Sequence, residues 1–217
     1  MKRMHSRGAI LVALECLFLG LASWAYVVLT PTAQTRLVKP PVPKDVITHT
    51  TLTPSEKPVQ AATYVSPAGP TQPKFISLPT INASGFIQNM GIDQNNAIAS
   101  PNNVTFAGWY IYSVSPGQPG LSIIDGHIDG LHGPGIFYHL VQLKTGDQFT
   151  VELGDNTVHT FTVVSVTNVN NQDADAALFA RDTSIASQLN IITCGGDFNW
   201  QTHSYEQRTI VVSRLSN

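Results

Sequence analysis

Residues 148–167 read QFTVELGDNTVHTFTVVSVT, and this stretch decides the fold class. Polar Gln148, Thr150 and Glu152 alternate with apolar Phe149, Val151 and Leu153, the period-2 pattern of a half-buried strand. Gly154-Asp155-Asn156 turns the chain, and Thr157 to Thr167 returns as a β-rich run. Outward from this hairpin, Leu121 to Ile124 and Leu189 to Thr193 are short apolar runs that fit buried strands. Arg208 to Leu215 is β-branched and closes the chain, and Phe75 to Ile81 opens as a strand with Pro79 at an edge or bulge. Asp173 to Arg181 is the one segment that reads as a helix, with acids at its start and arginine at its end. Many short strands and one or two small helices predict a mainly β barrel or sandwich.

The first third of the 217-residue chain reads differently. Residues 1–8 form a short basic N-terminus, and residues 9–29 form a largely apolar run whose one charged side chain is Glu15. As a helix, 21 residues span about 31 Å, enough for a bilayer core. Lys2, Arg3 and Arg7 before the run, with Trp24 and Tyr26 near its far end, predict a single-pass signal anchor with its N-terminus inside. The rival reading is a cleaved signal peptide, with Ser23-Trp24-Ala25 before the cut. Nine of the fourteen prolines then fall in residues 30–74, which predicts an extended Pro/Thr-rich stalk without helix or sheet ladder. Residues 75–217 remain for the folded domain.

Charge and cysteine content narrow the function classes. Residues 75–217 carry four basic side chains against eleven carboxylates, a net of −7 within a chain whose formal charge is −2. Such a domain is a poor partner for nucleic acid and suits a cationic or neutral one. Charged residues are 12% against about 25% in an average soluble protein, while apolar content is an ordinary 42%, so the chain is neither disordered nor a coiled coil. Two cysteines cannot build a disulfide scaffold or a cysteine-rich zinc module.

Cys194 is the only cysteine of the domain. It ends the run Asn190-Ile191-Ile192-Thr193 and precedes Gly195-Gly196, which places it where a strand opens at a barrel rim. The bland alternative is a small buried hydrophobe. A thiol needs a cationic neighbour or a partner base to be a nucleophile at neutral pH. The candidate base is His127, which follows the apolar run ending at Ile124 and a glycine. A metal reading through His127, Asp129 and His132 also stands on ligand type, without a recognisable zinc spacing. Arg208, at the start of the last strand, is the candidate for holding a developing oxyanion or substrate carbonyls.

Taken together, these pieces resemble the sortases, membrane-anchored cysteine transpeptidases. The likeness rests on Gly126-His127-Ile128-Asp129, on Ile192-Thr193-Cys194-Gly195-Gly196 and on Arg208-Thr209-Ile210-Val211-Val212, and it covers nearly all of residues 75–217. Similarity to class F sortases comes from residues 76–81, 107–110, 133–138 and 143–147. Two departures are Asn190-Ile191 where the family commonly has Thr-Leu, and Glu206 directly after Tyr205 where many class F members have arginine. The resemblance implies an eight-stranded barrel, with catalytic Cys194, His127 and Arg208 in one groove and Thr193 as a substrate contact. It implies cleavage of an LPXTG-like signal on surface proteins, and acyl transfer to an amine of a peptidoglycan precursor or protein. No metal or organic cofactor is needed, and the catalytic domain is expected outside the cell membrane. Papain-like and NlpC-like peptidases place cysteine before histidine, and L,D-transpeptidases have a His-Gly pair before it. The non-enzymatic alternative is a stalked surface β-domain.

Overall fold

A computed structural model describes residues 42–51, 53–59 and 64–216. Its strands are β1 (Pro73–Leu78), β2 (Ala83–Met90), β3 (Ala107–Tyr110), β4 (Gly120–Gly126), β5 (Gln148–Leu153), β6 (Val158–Asn170), β7 (Ser187–Asn199) and β8 (Ser204–Leu215). They close into a barrel in the order β1-β2-β3-β4-β7-β8-β6-β5. Two pairings are parallel, β2 with β3 and β4 with β7, and the rest are antiparallel. The β5–β6 hairpin pairs Phe149 with Phe161 and stacks their rings inside the barrel, as alternation requires. One short helix, α1 (Ala174–Leu178), lies where the sequence places its single helix, preceded by a 3-10 turn at Asn171–Asp173.

The barrel interior is filled from alternate positions of every strand. Ile76, Ile87, Ala107, Ile124, Val151, Phe161, Ile191 and Val211 all belong to one buried cluster. A smaller cluster of Ile123, Leu178 and Ile210 sits on the outer face, with Leu121, Tyr110, Val169 and Ile192 packed against it under α1. Because side chains alternate, Ile123 and Asp125 share one face of β4, and Ile192 and Cys194 share one face of β7. This outer face carries the site.

Three local features differ from the sequence expectation. Pro79 does not sit in a strand; it opens a 3-10 turn, Pro79–Ile81, where its fixed φ fits the first position. Cys194 does not end its strand. β7 continues to Asn199 past a register shift between Gly195 and Phe198, where Gly196 takes φ +71°, so the Gly-Gly pair builds a bulge. Part of the Pro/Thr-rich stretch also lies along the barrel. Ile47 bridges Met90, with its N–H on the Asn89 carbonyl (2.9 Å), and Ser55 bridges Asn103. Tyr64 packs its ring on Phe86 and Phe106. Proline excludes a ladder but leaves isolated bridges and ring contacts available. The helix expected over residues 9–29 and the first part of the stalk lie outside the described residues, among which no helix is long and apolar enough to cross a membrane.

Candidate active site

The parallel ladder between β4 and β7 runs from Gly120/Ser187 to Asp125/Ile192 and then stops. Past it the two strands part, and His127 and Cys194 stand at the open end. Cys194 is half-buried and free, and its register partner on β8 is Arg208. The three line one cleft of about 730 Å³, together with Asp125, Ile192 and Asn171.

Each of the three is held differently. The His127 ring nitrogen Nε2 lies 2.7 Å from the Pro101 carbonyl. A carbonyl only accepts, so Nε2 carries the proton and Nδ1 is left as the nitrogen that can exchange one. The His127 backbone is fixed as well: its carbonyl takes the Phe137 N–H (3.0 Å), and Asp129 bridges Pro134. This explains the local form of the Gly133 to Tyr138 stretch, which folds back on the histidine segment. Glu56, from the N-terminal stretch, accepts the N–H groups of Leu131 (2.6 Å) and His132 (3.1 Å).

Arg208 donates from Nη1 to Asn171 Oδ1 (2.8 Å) and to the Gln207 carbonyl (2.9 Å). Its charge still reaches the thiol. Burial pushes the Cys194 thiol up, Arg208 pulls it down, and Asp129 and Asp125 push it up again. The thiol form therefore predominates at neutral pH in the free protein.

Thr193 is placed on the other face. Adjacent residues of a strand point opposite ways, so while Cys194 faces the cleft, the Thr193 side chain faces inward at 4% exposure. Its hydroxyl donates to the Gly126 carbonyl (2.8 Å), which clasps β7 to the residue before His127. The Thr193 side chain, expected as a substrate contact, makes this hydrogen bond, which sets the spacing of the two catalytic candidates.

The side chains of the metal reading are spent elsewhere. Asp129 Oδ2 accepts from the Tyr205 hydroxyl, His132 pairs with Glu56 at 3.5 Å, and no group of three His, Cys, Asp or Glu among the described residues is placed to hold a metal. Burial and the Asp129 carboxylate push the Tyr205 hydroxyl far above the ordinary phenol range, so it stays a donor. Pro101, Asn171, Tyr205 and Asp125 join the site without having stood out as functional in the sequence. Tyr205 and Asp129 are 76 residues apart, and no local pattern links them.

Residues 76–216 match the family model described as the sortase domain. No curated protein sequence matches the chain. Among solved structures, sortase A from Corynebacterium diphtheriae (lid mutant) is 21% identical, with a TM-score of 0.51 over 72% of this chain and 74% of that one. Sortase C from Streptococcus pneumoniae is 19% identical, with a TM-score of 0.50 over 68% of this chain and 70% of that one. At these identities the structures speak for the fold, an eight-stranded barrel, while the family match covers the cleft-bearing strands from end to end. The chain belongs to the sortase family, whose members are cysteine transpeptidases.

Proposed function

We propose that the protein is a membrane-anchored sortase of class F type, which cleaves an LPXTG-like sorting signal and passes the acyl group to an amine, attaching surface proteins to the cell wall. The observation that carries this reading is the convergence of Cys194, His127 and Arg208 on one cleft at the open end of a parallel ladder. The anchor is residues 9–29, and the barrel works on the outer side of the membrane.

In the first half-reaction, the Cys194 thiolate adds to the threonyl carbonyl of the signal. The carbon–nitrogen bond then breaks, and His127 Nδ1–H of the imidazolium protonates the departing amine. Arg208 supplies positive charge beside the sulfur, which favours the thiolate and the oxyanion that follows it. In the second half-reaction, an amine attacks the thioester and gives its proton to neutral His127, and the sulfur leaves as the thiolate, which restores the starting thiolate and imidazolium. Throughout, Pro101 holds the far ring nitrogen, so Nδ1 is the exchanging atom in both directions. The Thr193–Gly126 bond keeps the two strands at a fixed spacing while this happens.

The test is to incubate the full-length chain with LPXTG-type peptides and an added amine and to weigh the protein and products by mass spectrometry. A thioester on Cys194 and an amine-exchanged peptide, both lost in Cys194→Ala and His127→Ala, are expected. A Cys194 that accepts no peptide and resists a small alkylating agent would leave a stalked structural domain instead.

A further inference from the structure

Asp125 is the residue of the cleft that the chemistry above does not use. It is the last β4 residue in the ladder with β7, paired with Ile192, and it shares the outer face with Cys194. Its Oδ1 is buried with no hydrogen-bond partner, while the residue keeps part of its surface in the cleft wall. Space for this carboxyl is made by Gly108 of β3, where a Cβ would lie 2.3 Å from Oδ1 and 2.5 Å from Met90 Cγ. No ion pair reaches it among the described residues. Arg208 is committed at the Cys194 end to Asn171, and His127 Nε2 to Pro101. The cleft wall also carries Ile92, Ile98, Tyr110, Leu178 and Ile192, beside polar residues that include Asp93, Asn95 and Asp175.

A buried carboxyl with one oxygen lacking a donor and no counter-charge is costly unless a ligand completes it. From these observations we infer that Asp125 is a specificity-determining residue, which binds the ammonium or guanidinium head of a lysine or arginine side chain in the sorting signal. The inference rests on the sortase reading of the same cleft and adds to it the class of residue selected. The aliphatic stem of such a side chain lies along the isoleucines, and its head meets the Asp125 carboxyl on the side where the residue faces the cleft, supplying the missing counter-charge. Asp93 and Asp175, also in the cleft wall, add negative potential at that end, although Asp93 Oδ1 already accepts the Asn95 and Ala97 N–H groups. Burial holds the free Asp125 carboxyl well above the ordinary carboxylate range, and a cation seated beside it would draw it down again.

Position separates a signal side chain from the attacking amine. Asp125 is level with Ile192, two residues before Cys194, and two strand residues span about 7 Å. An attacking nitrogen must approach its carbon to about 3–3.5 Å. A cation seated on Asp125 is therefore a side chain of the bound peptide, about two residues from the scissile carbonyl when that peptide is extended.

The test uses the full-length chain and LPXTG-type peptides in which lysine, glutamine or norleucine is placed in turn at every position except the Thr-Gly pair. Acylation of Cys194 is followed at varied peptide concentration. One position is expected at which lysine exceeds both glutamine and norleucine by about tenfold or more in kcat/KM, carried mainly by KM. In Asp125→Asn, which keeps the shape and removes the charge, this preference collapses. Equal use of the three residues at every position in the wild-type chain would overturn the inference while leaving the sortase reading intact, and that scan does not depend on any variant folding. A lysine preference that survives in Asp125→Asn would overturn it too. Failure of every peptide to acylate Cys194 would remove the sortase reading first and this inference with it.

Discussion

At the scale of single residues, the site is a contest over the charge on one sulfur. Arg208 draws the Cys194 thiol toward ionisation, and burial, Asp129 and Asp125 oppose it. The reactive thiolate fraction then rises about tenfold per pH unit while pH stays below the raised pKa. Alkylation of Cys194 by iodoacetamide is expected to climb steadily from about pH 6 to about pH 9 without a plateau. Two substitutions should move that profile in opposite directions. Arg208→Gln removes the term that lowers the pKa, so labelling at fixed pH slows. Asp129→Asn removes a term that raises it, so labelling quickens. Changes of the same sign in both variants would show that the reactivity follows access to the thiol, not its charge environment. Cys194 and His127 stood out in the sequence because each follows an apolar run and lies beside glycine. Asp129 reads there as a possible metal ligand and not as the acceptor for Tyr205, because that partner comes from the other end of the domain.

At the scale of elements, the spacing between β4 and β7 depends on a buried hydroxyl. Thr193→Val keeps the side-chain shape and removes the donor to the Gly126 carbonyl. A loss of about 1 kcal/mol in urea unfolding is expected, with a fall in kcat larger than any rise in KM, since the bond sets the strand spacing at the cleft. The segment after His127 is held from outside by Glu56. In Glu56→Ala, amide exchange at Leu131 and His132 should quicken while exchange in the β5–β6 hairpin stays as it was; protection unchanged at both amides would show that Glu56 does not hold this segment. The β5–β6 hairpin was legible because its apolar residues alternate cleanly. β2 was not, since its buried positions include Gly85, Asn89 and Met90 beside Ile87, which reads as no pattern. β7 appeared too short because Gly195-Gly196 looks like a strand's end and is a bulge within it.

At the scale of the whole molecule, the barrel extends further toward the N-terminus than composition indicated. Asp45 accepts from Asn89 Nδ2 (2.6 Å), and Tyr64 covers Phe86 and Phe106. A chain shortened to begin at residue 73 loses these contacts, whereas one beginning at residue 42 keeps them. The shorter form is expected to be less stable by on the order of 2 kcal/mol, read from the urea midpoints of the two. Equal midpoints would mean that this stretch rests on the barrel without supporting it. A composition rich in proline and threonine reveals what the stretch cannot form, a ladder, and is silent on what its few aromatic and aliphatic side chains cover.

The β4–β7 ladder also bears on how the protein acquires its chemistry. Parallel neighbours so distant in sequence cannot meet until the intervening hairpin and helix have been looped out, and such non-local pairing forms slowly. His127 and Cys194 are brought together by this same closure. The newly made chain is therefore expected to stay chemically silent until the β4–β7 pairing closes. Refolding followed by Trp109, buried in β3, and by the first appearance of a peptide adduct on Cys194 should then give the same rate constant.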